Sequence, residues 1–371
     1  MSVRTVVPCV DGVLSSRQVA QTAQAIARTQ EPCGSIPWTP GEHADVWNHV
    51  EAAMALLVGG EVEAAERAYA WVPTLQNADG SWPMKVVAGQ VLDPRSEVNM
   101  SAYLAVGIWH HWLIRRDRDF VDEFWPVVRT GLDWVVSQQL IFGGINWTPT
   151  EDFALLAGSS SIHQSLQAGV ALAELLGDPQ PEWELAGGRL AHAIREHPHC
   201  FADKSTYSMD WYYPVLGGAV RGERARRMLA SRWDDFVVDG LGVRCVDTNP
   251  WVTGAETCEL AMALDAVGDH ARAVRLLADM QHLRADTGEY WTGWVFGDEP
   301  GQNQFWPVEH TSYTAAAVIL AVDALGCVAG KATAGAGIMR GDSFGAPFLE
   351  FGLQCSCSSG QPIPSLANGP S

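Results

Sequence analysis

The feature that most constrains the fold is a succession of paired helical patterns joined by short turns. Apolar residues recur every three or four positions along most of the chain, and strand-like alternation is rare. The turns carry Gly, Asp or Pro, as in GGE, GDPQPE and GD. The predicted helices span 17–28, 47–58, 62–75, 98–114, 120–139, 153–176, 183–196, 207–216, 223–236, 253–267, 270–283 and 308–325. About twelve helices would form six hairpins.

Each hairpin must bury an apolar face against its neighbours, so six of them predict one closed double layer of helices. The expected fold is all-α, an (α/α)6 toroid around a central cavity. A length of 371 residues would also allow two or three domains, but one ring explains the repeating hairpins better. We expect an N-terminal segment with one helix on the ring (1–39), the toroid (40–330) and a loosely ordered tail rich in Gly, Ser and Pro (331–371).

Charge and composition narrow the classes of partner. A net charge of −19 excludes nucleic acid, whose phosphates require a basic surface. No run of eighteen apolar residues and no signal peptide are present, and the eight cysteines have no disulfide or zinc-finger spacing. We expect a cytoplasmic protein with reduced cysteines. Contact with a membrane surface stays open, and the oligomeric state is not predicted.

Tryptophan is unusually frequent, with 16 Trp against 11 Phe and 7 Tyr. Part of this excess follows a repeated theme in which a helix ends in Gln, a Gly-bearing turn follows, and Trp comes next. The copies are Gln76, Gly80 and Trp82; Gln138, Gly144 and Trp147; and Gln281, Gly288 and Trp291. A Gln amide can bond unpaired carbonyls at a helix end while Trp covers the next hairpin. The repeat is therefore interpreted as a fold signature.

This repeat resembles the QW motifs of the squalene-hopene cyclase and protein prenyltransferase superfamily. The resemblance implies an α/α toroid acting on an isoprenoid or polyprenyl-linked substrate, and residues 40–327 are similar to an actinobacterial group described as prenyltransferases. The Asp-x-Asp-Asp acid motif of the cyclases is missing. Its nearest fragments are WDDF at 233–236 and CVD at 245–247.

A second resemblance favours a different chemistry on the same ring. Residues 96–139, which contain a W-P-x-V-x-x-x-L-x-W helix, are similar to the six-hairpin glycosidases. This similarity implies two carboxylates that act on a small saccharide, one as the acid and the other as the base or nucleophile.

Carboxylates at the starts of inner helices are the best candidates for chemistry, because the helix N-termini of such a ring point toward one rim. Asp210 stands among aromatic residues, where poor solvation would raise its pKa. The candidate catalytic residues are Asp210, Glu256, Glu97, Asp152 and His310. The candidate substrate-binding residues are Trp211, Tyr212, Trp251, Asn99, Tyr103, Trp109 and Glu309.

A metal site has weak support. Glu256, Cys258 and His310 follow the order of the zinc ligands of protein prenyltransferases. However, the position of Glu256 is equally typical of a capping box with Thr253. Cys258 continues an apolar stripe, which is typical of a buried structural cysteine. We expect no cofactor, with zinc or magnesium as the alternative.

The leading hypothesis is an enzyme resembling prenyltransferases and terpene cyclases, acting on an isoprenoid in a central aromatic cavity. The first alternative is a six-hairpin glycosidase-like enzyme acting on a small saccharide. The second alternative is a binding scaffold without catalysis.

Overall fold

The inner layer is a closed ring of helices. The computed structural model describes residues 6–297, 302–328, 331–332, 344 and 348. The inner helices are α2 (Val46–Val58), α4 (Val98–Ala102) continued by α5 (Leu104–Arg115), α7 (Leu156–Leu176), α9 (Ser208–Leu216), α12 (Gly254–Ala266) and α14 (Ser312–Leu325). Each packs on the next in this order, and α14 packs back on α2. The predicted all-α toroid is confirmed.

The outer layer supplies one partner for each inner helix. The outer helices are α1 (Ser16–Thr29), α3 (Val62–Trp71), α6 (Arg118–Ser137), α8 (Pro181–Glu196), α10 (Gly222–Ser231) and α13 (His270–Asp279), with the short α11 (Trp233–Phe236) after α10. Helix α1 pairs with α14, so the sixth hairpin joins the two ends of the ring. The N-terminal helix therefore belongs to the outer layer.

The sequences of the two layers differ because their surroundings differ. In α14 every residue from Thr314 to Leu325 is buried, since this helix touches neighbours on all sides. In α13 only Ala273, Leu276 and Leu277 are buried, and the other face meets solvent. The two concentric layers follow from this difference: an inner helix is apolar on all sides, whereas an outer helix has a single apolar stripe.

Short strands form a part of the fold that the helical periodicity did not predict. Strands β1 (Lys85–Val87) and β2 (Gln90–Asp93) form a hairpin. An antiparallel five-stranded sheet has the order β3-β4-β5-β6-β7, and its strands are β3 (Val237–Val238), β4 (Gly242–Arg244), β5 (Trp251–Thr253), β6 (Gly293–Val295) and β7 (Gln304–Phe305). Strands β8 (Cys327–Val328) and β9 (Lys331–Ala332) pair after the last helix. Strand β5 leads directly into α12.

The register of the large sheet aligns β5 with β6 and β6 with β7. Thr253 lies opposite Gly293, and Trp294 lies opposite Phe305. Strands of two or three residues are too short to show the alternation by which a strand is recognised. These short strands were therefore not predicted from the sequence.

A Gln side chain at the end of an outer helix ties neighbouring hairpins together. Gln76 Nε2 donates to the Gly80 carbonyl at 3.1 Å and to the Val127 carbonyl of α6 at 3.0 Å. Gln139 Nε2 does the same with Gly143 at 3.0 Å and Ala186 of α8 at 2.9 Å. The capping role predicted for Gln is thus present, and it also joins one hairpin to the next.

The copies of this motif differ from those predicted. In the second copy the residues are Gln139 and Gly143, one position from the predicted Gln138 and Gly144. A further copy was missed at Gln30, which bonds the carbonyls of Gly34 and Ala64. In the third predicted copy Gln281 bonds the Leu277 carbonyl of its own helix. Trp does not follow every copy at a fixed spacing. Placing the second copy by its distance from Trp therefore assigned the motif to Gln138 and Gly144, one position from the residues that form it.

Gln139→Ala should lower the free energy of unfolding by about 1–3 kcal/mol, because the partly buried carbonyls of Gly143 and Ala186 lose the hydrogen bonds from its amide. Gln138 is the matched control, since its amide bonds only the neighbouring Ser137 hydroxyl. Denaturant unfolding of the two variants measures the difference. Equal stability of Gln139→Ala and Gln138→Ala would contradict the assignment of the tie to Gln139.

Several helix boundaries also differ from prediction, among them two near the rim. The predicted helix 98–114 is divided at Tyr103 into α4 and α5. The predicted start of the last helix at 308 is four residues early, because Thr311 caps α14 by accepting from the Thr314 amide. Most of the tail predicted to be loosely ordered lies outside the described residues. No helix within the described residues is long and apolar enough to span a membrane.

Candidate active site

The inner helices begin at one rim of the ring, and we call the space that their N-termini enclose the cup. The residues at their starts are Asp45, Glu97, Leu155, Tyr207, Thr253 and Thr311. The positive end of each helix dipole favours negative charge at this rim. Several carboxylates lie there or one turn deeper.

The floor of the cup is a network of two buried glutamates and the aromatic side chains that donate to them. Glu259 Oε1 accepts from the hydroxyls of Tyr213 at 2.7 Å and Tyr313 at 2.6 Å, and Oε2 accepts from Tyr212. Glu51 Oε1 accepts from Trp47 Nε1 and from the Tyr103 hydroxyl, both at 2.9 Å. Both glutamates line a cavity of about 10 Å³, which has room for one water molecule at most.

Burial is the main reason that the pKa of each floor glutamate is raised, because a charged carboxylate is poorly solvated there. Mutual repulsion adds to the rise for Glu259, since Glu51 and Glu256 are close enough to act on it. The donated hydroxyls oppose the rise, but burial outweighs them. The floor therefore holds protons at a pH where exposed glutamates are ionised.

Glu259→Gln should flatten the pH dependence of stability. The folded pKa of Glu259 lies above the unfolded value near 4.5, so the folded state binds more protons above that pH and its stability falls as pH rises. Thermal unfolding should therefore show a larger loss between about pH 5 and pH 8 in the wild type than in the variant. Identical losses would contradict a raised pKa at Glu259.

Glu97 is the residue before α4, and its partly exposed side chain lines a small pocket between α4 and α7. Burial, with a smaller contribution from Asp45, raises the pKa of Glu97 to about 7. The side chain of Trp147 hydrogen-bonds the carboxylate and opposes the rise. A carboxyl group that is half-protonated near neutral pH is suited to donate a proton.

Glu256 lies in the first turn of α12 and is also partly exposed. The Cys245 thiol hydrogen-bonds its carboxylate. Helix α12 is three positions from α4 around the ring, so Glu256 and Glu97 stand at the starts of helices on opposite sides of it. Glu259 lies one turn deeper than Glu256 on the same face of α12, because three residues nearly complete a turn.

The other predicted carboxylates occupy the rim in different settings. Asp210 accepts from the Ala157 backbone N–H of α7 at 3.2 Å, and burial raises its pKa to about 6. It satisfies one of the free amides at the start of that neighbouring helix. Asp152 is exposed in the loop before α7. Glu309 accepts from Trp38 Nε1 at 3.0 Å and from the Thr292 hydroxyl at 3.3 Å.

The predicted substrate-binding residues are distributed over several levels. Tyr103 and Tyr212 lie in the floor, and Trp251 lies at the mouth with its ring partly exposed. Asn99 is buried beside Glu97 and Trp147, in a small pocket between α4 and α7. Trp109 is buried in the lower part of α5.

The structure places Trp211 outside the cup. This side chain is buried, and its Nε1 donates to the Met228 carbonyl of α10 at 2.7 Å. Its ring stacks on Phe236 at 5.3 Å, on the outer side of α9. Adjacent Tyr212 points inward because neighbouring helical residues face different directions.

The sequence reading missed Glu51, Glu259, Trp47, Tyr213 and Tyr313. One signal was available, because Glu51 and Glu259 are charges inside otherwise apolar stretches of inner helices and buried charges are rare unless paired or functional. The spacing of Trp47 and Glu51, four residues apart, also places them on one helix face.

The proposed zinc ligands are not brought together. Cys258 is fully buried, and the His310 ring contacts that of Trp291 in a tilted arrangement, with 3.8 Å between the ring centres. Glu289 lies 3.8 Å from His310 Nδ1. Over the part of the chain that the structure describes, no three His, Cys, Asp or Glu side chains are grouped to hold a metal ion.

Solved structures with a similar fold are glycosidases. A wild-type glycosidase superposes with a TM-score of 0.66 at 15% identity, covering 84% of this chain and 96% of that one. A GH63 mannosylglycerate hydrolase from Thermus thermophilus has a TM-score of 0.64 at 15% identity, covering 81% of this chain and 99% of that one. No protein-family model matches the chain. The fold is therefore the α/α toroid of glycosidases, with a carboxylate-lined cup.

A relative with much higher identity makes the relationship specific. The chain is 51% identical over 359 residues to the MMP endo-(1,4)-3-O-methyl-alpha-D-mannosidase of Mycolicibacterium hassiacum, covering 96% of this chain and 98% of that protein. The chain belongs to the family of this mannosidase, and it is an enzyme of the glycoside hydrolase class.

The leading hypothesis from the sequence, an enzyme of isoprenoid chemistry, is wrong. Both the mannosidase relative and the glycosidase neighbours contradict it. The resemblance to six-hairpin glycosidases indicated the correct class of enzyme. The QW-like repeat indicated the α/α fold but not the chemistry.

Proposed function

We propose that this protein is an endo-acting mannosidase that hydrolyses (1,4) bonds between 3-O-methyl-α-D-mannose units. The observation that carries the proposal is the 51% identity to the Mycolicibacterium enzyme over nearly the whole of both chains. The cup agrees with this assignment, because its hydroxyls, carboxylates and aromatic rings are groups that bind sugars.

Glu97 is proposed as the general acid. Its raised pKa leaves it protonated in a large part of the molecules at neutral pH. It would donate this proton to the glycosidic oxygen as the bond to the anomeric carbon breaks. Trp147 then holds the resulting carboxylate through its hydrogen bond.

Glu256 is proposed as the general base that takes a proton from the attacking water. Glu97 and Glu256 stand at the starts of inner helices on opposite sides of the ring. Inverting glycosidases keep about 6.5–9.5 Å between the two carboxyl groups to hold the attacking water. We propose this arrangement for Glu97 and Glu256, and therefore hydrolysis with inversion.

The floor network would position the sugar at the cleavage point. Glu51 and Glu259 fix the tyrosine and tryptophan rings below the acid and the base. Because these rings are already bonded to buried carboxylates, they keep one orientation when substrate enters. A fixed floor lets binding energy align the glycosidic bond with Glu97.

Incubation with a polymer of α-(1,4)-linked 3-O-methyl-mannose, followed by mass spectrometry, tests the proposal. Internal cleavage should produce intermediate oligosaccharides early in the reaction. An α-(1,4)-glucan is the comparison substrate and should be cleaved much more slowly. Release of single sugars only, or no cleavage of the methylated polymer, would refute the endo-mannosidase assignment.

A further inference from the structure

Large apolar side chains are exposed on one side of the cup, although their exposure to water does not stabilise the folded protein. Trp306 is 49% exposed and Val308 is 80% exposed. The ring of Trp251, also partly exposed, meets that of Trp306 edge to face at 4.8 Å. We call Trp251, Trp306 and Val308 the platform. Exposed apolar patches on soluble proteins commonly mark binding surfaces.

The sheet holds the platform in one geometry. Trp251 Nε1 donates to the Trp306 carbonyl at 2.8 Å, which ties β5 to the residue after β7. Gly293 leaves room for the indole, because a Cβ atom there would lie 2.5 Å from Trp251 Nε1. On the other side of the sheet Trp291 stacks on Phe305 at 4.7 Å and supports β7. Two perpendicular indole rings held this rigidly lose little entropy when they bind a ligand.

The platform adjoins the proposed catalytic residue Glu256 along the chain. Trp251 begins β5, which leads into the first turn of α12 and Glu256. Val308 is followed directly by Glu309, whose carboxylate faces Trp38 and Thr292. A polymer leaving the cup between α12 and α14 would cross the two indole rings.

We propose that the platform binds sugar units of the 3-O-methylated mannan beyond the cleavage point and thereby determines internal cleavage. This inference rests on the proposed function. The less polar face of a sugar ring stacks on indole, and each 3-O-methyl group adds apolar surface that Val308 and the rings can cover. Units held on the platform place the bond over Glu97 and Glu256 away from the end of the chain.

The test measures binding of methylated oligosaccharides of increasing length by calorimetry, with Glu97→Gln present in every protein to prevent cleavage. Adding Trp306→Ala should weaken the Kd of long oligosaccharides by roughly fivefold to tenfold, and leave that of a disaccharide unchanged. Trp112→Ala is the matched control, because this half-buried Trp lies near the end of α5 on the opposite face of the ring. It should change neither Kd.

The possible outcomes distinguish failure of the platform proposal from failure of the proposed function. If the Glu97→Gln protein binds no methylated oligosaccharide, and the wild type does not cleave the polymer, the proposed function fails and this inference fails with it. If binding is intact but Trp306→Ala affects all lengths equally, or none, the platform alone is refuted. Val308→Ser should reduce the preference for methylated over unmethylated oligosaccharides, and an unchanged preference would refute recognition of the methyl groups.

Discussion

Glu97→Gln should reduce kcat/KM on the methylated mannan by about 10²- to 10⁴-fold, the usual contribution of a general acid. Glutamine keeps the shape of the side chain and can still accept the hydrogen bond from Trp147, but its amide is too weak an acid to protonate the glycosidic oxygen. Steady-state kinetics with reducing-end detection measures the loss. Glu182→Gln, an exposed position on the outer helix α8, is the control and should retain full activity.

The pH profile of the wild type provides a second measurement of the same group. Glu97 must be protonated to act, and its pKa is raised to about 7, so kcat/KM should fall about tenfold per pH unit above that value. The fall should disappear from the residual activity of Glu97→Gln. A fall that persists in this variant would assign the basic limb to another residue and contradict Glu97 as the acid.

Glu256→Gln should cause a loss of similar size, because the water that attacks the anomeric carbon would have no base. The stereochemistry tests the arrangement independently. Inversion at an α-mannoside predicts that new reducing ends appear first as the β anomer, which proton NMR detects before mutarotation. If the α anomer appeared first, the water-mediated role of Glu256 would be wrong.

Asp210→Asn separates a rim carboxylate that acts chemically from one that supports the fold. Asp210 accepts from the Ala157 amide at the start of α7, and Asn can accept the same bond. We expect kcat/KM to stay within about tenfold of the wild-type value, far above that of Glu256→Gln. Loss of activity equal to that of Glu256→Gln would restore Asp210 to the catalytic role predicted for it from sequence.

The location of some candidate carboxylates was predictable because it depends on helix position alone. Glu97 and Glu256 were candidates because they stand at the starts of inner helices, and a ring brings such starts together. Glu51 and Glu259 lie one to two turns deeper, where the sequence shows only a charge among apolar residues. Whether such a charge faces a neighbouring helix or the central axis depends on the rotation of each helix, which packing sets.

Trp211 and Tyr212 illustrate the same point for aromatic residues. They are adjacent in sequence and equally apolar in context, yet one packs outward on Phe236 and the other donates to Glu259. The repeated Gln was recognised as a fold signature, but its register was misassigned because the glycine that accepts its bond was chosen by proximity to Trp. The predicted isoprenoid substrate was wrong because it was inferred from this repeat, which is a feature of the fold and carries no information about the substrate.

The sequence by itself determined the ring, because the helical periodicity and short turns leave six hairpins one way to bury their apolar faces. It also determined which helix starts carry carboxylates. Only the tertiary structure decided which side chains meet at the axis and which rings remain exposed at the mouth. Those contacts join residues far apart in sequence, such as Glu51 with Tyr103 and Trp251 with Trp306, and they depend on how the ring closes.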